Sequence, residues 1–499
     1  MKQSAFSIRT IFLSFIIILL LGSGITESLF LRPMGVHQWR QSDSASEALN
    51  YAQNDIYFFT PQMHSQTGKN GYSASEFPII YYAVAQLYKW FGFHEYIFKL
   101  VNLAFFIMGL WFLYLIALRF IKNKWLAIIP VIILGTSPYY FYYGLNFLPN
   151  VPAISCALVG WYFILKYIDG HKVAQLYLAA FMFTLSALLK ASDGMNFAIA
   201  GLVLLIHIFH ADAATKSIYM KQTLHILAGA MIFAVSFISW VFYCKQFNAA
   251  NGTGASLLGI LPIWKLGPYD IYMVCRNALM EWAIYIFNPL VWIIVIGSAY
   301  LFFRNLRRIN PMLRLITVLF ILGSFIYCLL WFEAFRDHDY YMLTPIVFPA
   351  FLMIAILNLF ESDLTIKNVK RKRVIFIGIL ILSIGYNGFM QHNRYYNPDY
   401  NTVNKDLYTV EPYLRSIGIQ RTDLVVSVPD PSLNNSLYLM NNPGWTEEFT
   451  DKNYNIYYFI DLGAKYLIVN DSAYAKNELY SRFMKNKIGE YKSISIYKL

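Results

Sequence analysis

Charge is what this chain has least of. Asp, Glu, Lys and Arg make up 14% of its 499 residues, while 58% are hydrophobic. A soluble domain carries about a quarter charged residues, so a soluble enzyme with one large core is excluded. Cysteine is scarce too. Cys156, Cys244, Cys275 and Cys328 are scattered, mostly in or beside apolar runs, and none has metal-ligand spacing. Neither a zinc site nor a disulfide framework is expected. The chain shows no internal repeat and no low-complexity tract. Acidic residues number 28 against 40 basic ones, a net charge of +12. In a soluble protein that excess would point to nucleic acid. Here the basic residues lie in short loops between apolar runs, so they report membrane orientation and no nucleic acid partner is expected.

What is abundant is apolar sequence in runs close to the length of a bilayer span. Spans are expected at residues 10–29, 96–121, 125–143, 149–168, 173–189, 194–210, 222–243, 283–303, 313–333, 340–360 and 374–390, eleven in all. The first, after Lys2 and Arg9, reads as a signal anchor because no small-residue cleavage site follows it. Residues 78–92 are apolar but too short to span, and read as an interfacial helix. With a cytoplasmic N-terminus, one side collects Arg119, Lys122, Lys124, Lys166, Lys172, Lys216, Lys221, Arg304, Arg307, Arg308, Arg314, Lys367, Lys370, Arg371, Lys372 and Arg373. That is the asymmetry the positive-inside rule requires. An odd count then places the first loop, residues 244–282 and the tail on the outer face.

The expected architecture is therefore a polytopic α-helical membrane protein with a small C-terminal α/β unit. Residues 1–392 form the membrane domain, with a first outer loop at 30–95, and 393–499 form a soluble extracytoplasmic domain. In the tail, 424–430, 465–471 and 493–499 read as strands from their β-branched and aromatic content, and 403–417 and 473–485 as helices. The tail has no glycine fingerprint and no evident nucleophile, so no chemistry is expected of it.

The first loop is long, and long loops generally do something. It holds Asp43, Glu47, Asp55 and Glu76 in a chain poor in carboxylates. Asp43 and Glu47 share a helix face by spacing. Glu47 reads as part of a solvated face, whereas Asp43 has Trp39 and Arg40 within a turn and is the candidate catalytic acid or base. Glu76, in SASEFPIIYY, is a second candidate. A bland account of Glu76 is helix initiation, with Ser75 as cap and Pro78 in the first turn. Other polar groups at the outer ends of spans are Lys190 and Asp193 in LLKASDG, Asn150, and the run Arg336, Asp337, His338 and Asp339. His37, His64 and His338 do not form a metal set by spacing, and no metal is indicated, although a divalent cation stays open.

Together these stretches resemble the GT-C superfamily of membrane glycosyltransferases, in the branch of protein O-mannosyltransferases and aminoarabinose transferases. The resemblance rests on Asp43 early in the first outer loop, Glu76 before FPIIYY, SPYYFYYGLNFLPNVPA at 137–153 and HDYYMLTPIVFP at 338–349, and covers about residues 10–360. The chain differs from the branch in having Ser44 after the first acid, Phe77 after the second, and Asn150 where an acidic residue is usual. The resemblance implies transfer of a sugar from a polyprenyl-phosphate donor to a lipid, glycan or protein acceptor on the outer face of a bacterial inner membrane. Asp43 is then the base, with Glu76 beside it. Arg40, Lys190, Arg336 and His338 are cations available to the phosphate, and Asp339, Tyr82 and Tyr341 are further substrate contacts. The chemistry asks for such an inventory: a lipid phosphate leaves readily, so a base and phosphate-stabilising cations suffice. A transporter, or a polymerase or ligase of surface polysaccharide, is the alternative. A transporter would bury ionisable groups near the midplane rather than at span ends.

Overall fold

The computed structural model describes residues 7–253, 259–361, 369–401, 403–447 and 456–499. Lys2 and Lys367 lie outside the described residues, as do the side chains of Lys370, Arg371, Lys372 and Arg373. Each of the eleven segments read as spans contains helix. Among the described residues, six helices are long and apolar enough to cross a membrane, or up to eight if each bent pair is one span. Ile8–Gly22 has 15 residues and Val173–Leu189 has 17. At 1.5 Å per residue these reach ~22–26 Å, short of a ~30 Å hydrocarbon core taken straight across.

Two bends have a readable cause. Lys124–Gly135 and Pro138–Gly144 meet at 73°, and Pro268–Ile286 and Pro289–Arg304 at 103°. The residue before a proline is pushed out of helical geometry. Ser137 (ψ 120°) and Asn288 (ψ 157°) are accordingly extended, and each caps the helix that follows with its side-chain oxygen. The first bend turns the tyrosine-rich helix Pro138–Gly144 inward, and all seven of its residues are buried. At the bundle centre Trp161 is fully buried against Phe183, Phe320 and Phe351, its indole N–H donating to Asn196 Oδ1 at 3.1 Å. Thr223–Asn251 is the opposite case: only 11% of its apolar window is buried.

The first loop folds into the helix Gln38–Gln53 and the short helix Ile79–Phe91. Pro78 stands at the start of the second with no side-chain cap, and Ser75 donates instead to Glu76 Oε2. Helix initiation is therefore not what holds Glu76.

The C-terminal region carries one five-stranded sheet: β1 (Val425–Val428), β2 (Gly444–Trp445), β3 (Tyr466–Val469), β4 (Lys487–Tyr491) and β5 (Ile494–Lys498), in the order β2-β1-β3-β5-β4. β1 pairs in parallel with β2 and β3, while β5 pairs antiparallel with β3 and β4. The three strands read from sequence are β1, β3 and β5. β2 is two residues long, and β4 is a charged edge strand without an apolar run, so neither has a signature. The expected helix 403–417 divides into Lys405–Tyr408 and Glu411–Ser416, and 473–485 into Ser472–Lys476 and Glu478–Ser481; Asn435–Met440 and Ile456–Asp461 are additional helices. Ala45, Ala48 and Leu49 of the first loop share one hydrophobic core with Leu437, Leu439 and Ile468. The tail is built onto the first loop.

Sidedness is open to direct labelling. Lys69, Ser472 and Lys216 are exposed, and Cys275 is an exposed native thiol to be replaced first by serine. In that background Lys69→Cys and Ser472→Cys are expected to react with an impermeant maleimide from outside intact cells, and Lys216→Cys only after permeabilisation. Reaction of either of the first pair only after permeabilisation overturns the proposed orientation.

Candidate active site

The helix Gln38–Gln53 is polar yet buried on nearly every side, with Gln38 and the whole run 41–51 inside. Small residues make this possible. Ser42, Ser44, Ala45, Ser46 and Ala48 let neighbours approach, and their hydroxyls find partners: Ser42 Oγ donates to Asn435 Oδ1 at 2.5 Å, and Ser46 Oγ bonds His64 Nδ1 at 2.7 Å. The entry turn is fixed from below. A Cβ on Gly35 (φ +75°) would lie 2.2 Å from the Arg394 carbonyl, which accepts from Val36 N–H at 3.1 Å. Only glycine fits that approach. His37, also left-handed at φ 54°, starts the helix and bonds Asp339 Oδ1 at 3.0 Å through Nε2.

One turn later the helix aims Trp39, Arg40, Asp43 and Glu47 into a cavity of about 390 Å³. Ser73, Ser75 and Glu76 line another side, Lys190 and Ser192 a third, and His338, Tyr340 and Tyr341 a fourth. Leu433 closes it from the C-terminal region, and Phe237 and Val241 come from the exposed apolar helix Thr223–Asn251. Arg40 is the central charge: Nη2 lies 2.5 Å from Glu76 Oε1, and Nη1 lies 3.9 Å from Asp43 Oδ2. Lys190 has no carboxylate within ion-pair distance among the described residues; its ammonium rests 4.3 Å from the ring centre of Tyr341 and 5.2 Å from that of Tyr340.

The three carboxyls differ in state. Burial raises Asp43 to about 7, partly offset by Arg40 and reinforced by Glu76 and Asp430. Burial and the charge of Glu76 hold Glu47 well above the usual carboxylate range. Burial also pushes Glu76 upward, but Arg40, Lys190 and the Ser75 hydroxyl outweigh it and bring Glu76 down to about 2. Glu76 is thus the permanent anion, committed to Arg40. Asp43 Oδ1 is buried and has no hydrogen-bond partner among the described residues. Carboxyls whose environments drive them apart mark acid–base assignments.

A family model described as dolichyl-phosphate-mannose-protein mannosyltransferase matches residues 75–240. The structure is similar over its whole length to ArnT from Cupriavidus metallidurans, in the apo state and bound to undecaprenyl phosphate. Both give a TM-score of 0.58 over 97% of each chain at 11% identity. It is also similar to the arabinofuranosyltransferase AftD from mycobacteria, with a TM-score of 0.58 over 100% of this chain and 42% of that one, at 15% identity. Residues 75–240 thus match a mannosyltransferase family, and the whole chain has the fold of the GT-C membrane glycosyltransferases. No curated protein matches its sequence significantly.

On this GT-C scaffold, Asp43, Glu76, Arg40, Lys190, His338 and Tyr341 of the sequence-derived set line one cavity, and three others do not. Asp339 is fully buried behind it, with Oδ2 2.7 Å from Arg394 Nη1 and Oδ1 accepting from Tyr143. Arg336 pairs with Asp337 at 2.9 Å and Asp270 at 3.9 Å, outside the cavity. Tyr82 packs edge-on against Tyr51 and Phe58. Sequence neighbours 336, 338 and 339 diverge because the chain turns tightly there, and adjacent side chains leave in different directions. His338 is also no cation near neutral pH, since burial and the neighbouring His37 lower it to about 4. Asn150 holds the site from behind, donating to the Tyr340 carbonyl at 3.3 Å. Glu47 is the residue misread: at 3% exposure it faces the cavity and is not solvated. Its four-residue spacing from Asp43 was the available signal. Among the described residues no group of three or more His, Cys, Asp or Glu is placed to hold a metal.

Two expectations follow from the burial of these charges. Asp43 binds its proton more tightly folded than unfolded, so between about pH 4 and 7 the folded state holds the extra proton and stability falls as pH rises. Asp43→Asn is expected to melt higher than the parent at pH 8, with the gap narrowing toward pH 5; a constant gap contradicts the raised value. Arg394→Met leaves Asp339 buried without its partner, and is expected to cost ~3–5 kcal/mol in unfolding measurements. A cost near zero would show that His37 and Tyr143 satisfy Asp339 alone.

Proposed function

We propose that the protein transfers a sugar from a polyprenyl-phosphate-linked donor to an acceptor hydroxyl at the outer face of the membrane, the bacterial inner membrane. The observation that carries this reading is Asp43, a buried carboxylate titrating at about 7 with one unpartnered oxygen, in a cavity that also presents Lys190. Asp43 Oδ1 takes the proton of the acceptor hydroxyl as its oxygen attacks the anomeric carbon. The bond from that carbon to the phosphate oxygen breaks, and its electron pair leaves with polyprenyl phosphate. Lys190 and Arg40 stabilise the charge developing on that phosphate, in a site where burial strengthens such contacts. Glu76 holds Arg40 in place and keeps it charged. Glu47, protonated, offers an O–H to a sugar or phosphate oxygen.

The lipid tail has a natural course. Phe237 and Val241 belong to both the cavity wall and the exposed apolar helix Thr223–Asn251, so an isoprenoid chain leaving the cavity there meets apolar surface. ArnT bound to undecaprenyl phosphate supports the same donor class.

The test separates base from phosphate ligand. In single-turnover assays with purified protein and labelled polyprenyl-phosphate sugar, Asp43→Asn is expected to lower turnover by ~10²–10⁴-fold while retaining donor binding. Lys190→Met is expected to weaken donor binding by about tenfold or more, since a phosphate loses a charged partner. Near-parental turnover in Asp43→Asn rejects its role as base and passes it to Glu76 or Glu47.

A further inference from the structure

The cavity at Asp43 has a neighbour on the same helix. A second cavity, of about 270 Å³, lies farther along Gln38–Gln53, between the first loop and the C-terminal region. Its polar lining is mostly amide, Asn50, Asn54, Gln62, Gln66 and Asn70, joined by His64, which burial lowers to about 4 and keeps neutral, and by Arg421 and Thr422 of the C-terminal region. No carboxylate and no lysine lines it. The apolar part of the lining is Met63, Leu424 and Pro443.

The two cavities are successive stations on one helix face. Asp43, Glu47, Asn50 and Asn54 follow each other at steps of four, three and four residues, which places them in one stripe. Asp43 and Glu47 face the first cavity, Asn50 and Asn54 the second, and Met63 lines both. Seven residues of helix separate Asp43 from Asn50, or ~10 Å along the axis, a span within reach of one extended small ligand.

The lining selects among ligands. Arg421 is committed: Nη1 donates to Gln53 Oε1 at 2.8 Å and Asn54 Oδ1 at 2.9 Å, which ties the C-terminal region to the helix. Nη2 also donates to the Gln53 carbonyl at 3.3 Å, so the guanidinium is turned to the helix and the hydrogen-bonding groups left to a ligand are mainly those of the neutral amides. The side-chain amides of Gln62 and Asn70 form no hydrogen bond among the described residues, and each has both donors and an acceptor to give. Sugar hydroxyls need both kinds of partner, while the C–H face of a sugar ring needs an apolar surface such as Met63, Leu424 and Pro443. A volume near the lower end of the ~300–1,000 Å³ of small-molecule sites suits a sugar unit.

We infer that this second cavity binds a neutral saccharide acceptor, whose reacting hydroxyl passes Met63 to reach Asp43. Calling the saccharide an acceptor rests on the transferase reading; its recognition rests on the amide cavity. The C-terminal region thereby gains a role, as one wall of the acceptor site.

The experiment presents the purified full-length protein to an immobilised panel of neutral oligosaccharides, phosphorylated and carboxylated oligosaccharides, and serine- and threonine-containing peptides. Binding of polyprenyl phosphate is measured in parallel. Neutral oligosaccharides are expected to bind, and Gln62→Leu and Asn54→Leu to weaken that binding by about tenfold each. Thr422→Trp, at an exposed position on the rim, is expected to block the cavity without removing a buried hydrogen bond. Polyprenyl phosphate affinity should stay within about twofold in all three, because the sites are separate. Binding to peptides alone, to anionic saccharides alone or to nothing overturns the inference, as does neutral-saccharide binding that survives all three substitutions. A parent protein that binds saccharide but no polyprenyl phosphate instead overturns the transferase reading.

Discussion

One guanidinium makes the site possible. Arg40 lies among three buried carboxyls, Asp43, Glu47 and Glu76, and three anions so close together would not stay ionised near a membrane. Arg40 resolves this unequally, by bonding Glu76 at 2.5 Å and standing 3.9 Å from Asp43. Glu76 stays a carboxylate at almost any pH, Glu47 stays protonated, and Asp43 is left between them at about 7. A base is most useful when it can both take and release a proton at the working pH. Lys190, held over tyrosine rings and without a carboxylate partner among the described residues, is the charge still available to a ligand.

Burying a polar helix for this purpose requires support at both ends. At its start, His37 joins Asp339, which is held by Arg394, itself surrounded by the rings of Tyr139, Tyr142, Tyr143 and Tyr285. That ties the first loop to the last long helix, Val369–Tyr396. Farther along, Asn434, Asn435 and Asn441 of the C-terminal region bond Ser42, Ser65 and His64. These asparagines satisfy polar groups that would otherwise be costly to bury. The membrane part and the C-terminal sheet therefore meet on one short helix, and Asp43, the proposed base, sits where both constrain it.

Much of this was legible in the sequence, for physical reasons. Apolar runs and loop charges are local signals, so the helical segments and the GT-C resemblance could be read without coordinates. Asp43, Arg40, Glu76 and Lys190 stood out because ionisable groups are rare at the ends of spans. What escaped was direction. Nothing in the run Arg336–Asp339 says that Arg336 turns outward, His338 toward the cavity and Asp339 into the core. Glu47 was misread because a polar helix resembles a solvated one until its neighbours are known, and those neighbours lie almost four hundred residues away at Asn434 and Asn435. The strands of the C-terminal region have their own pattern and one hydrophobic cluster of their own, but nothing local in them shows that a second cluster is shared with the first loop.

The central claim is that Asp43 in its ionised form accepts the proton in the transfer step, and the pH dependence of single turnover tests it most directly. With donor and acceptor saturating, the rate of the parent protein is expected to rise with pH through about 7, as Asp43 loses its own proton, and then level off. In Asp43→Asn that rising limb should vanish along with most of the rate. A limb of the same midpoint persisting in Asp43→Asn would contradict the account, because another group would then be carrying the proton.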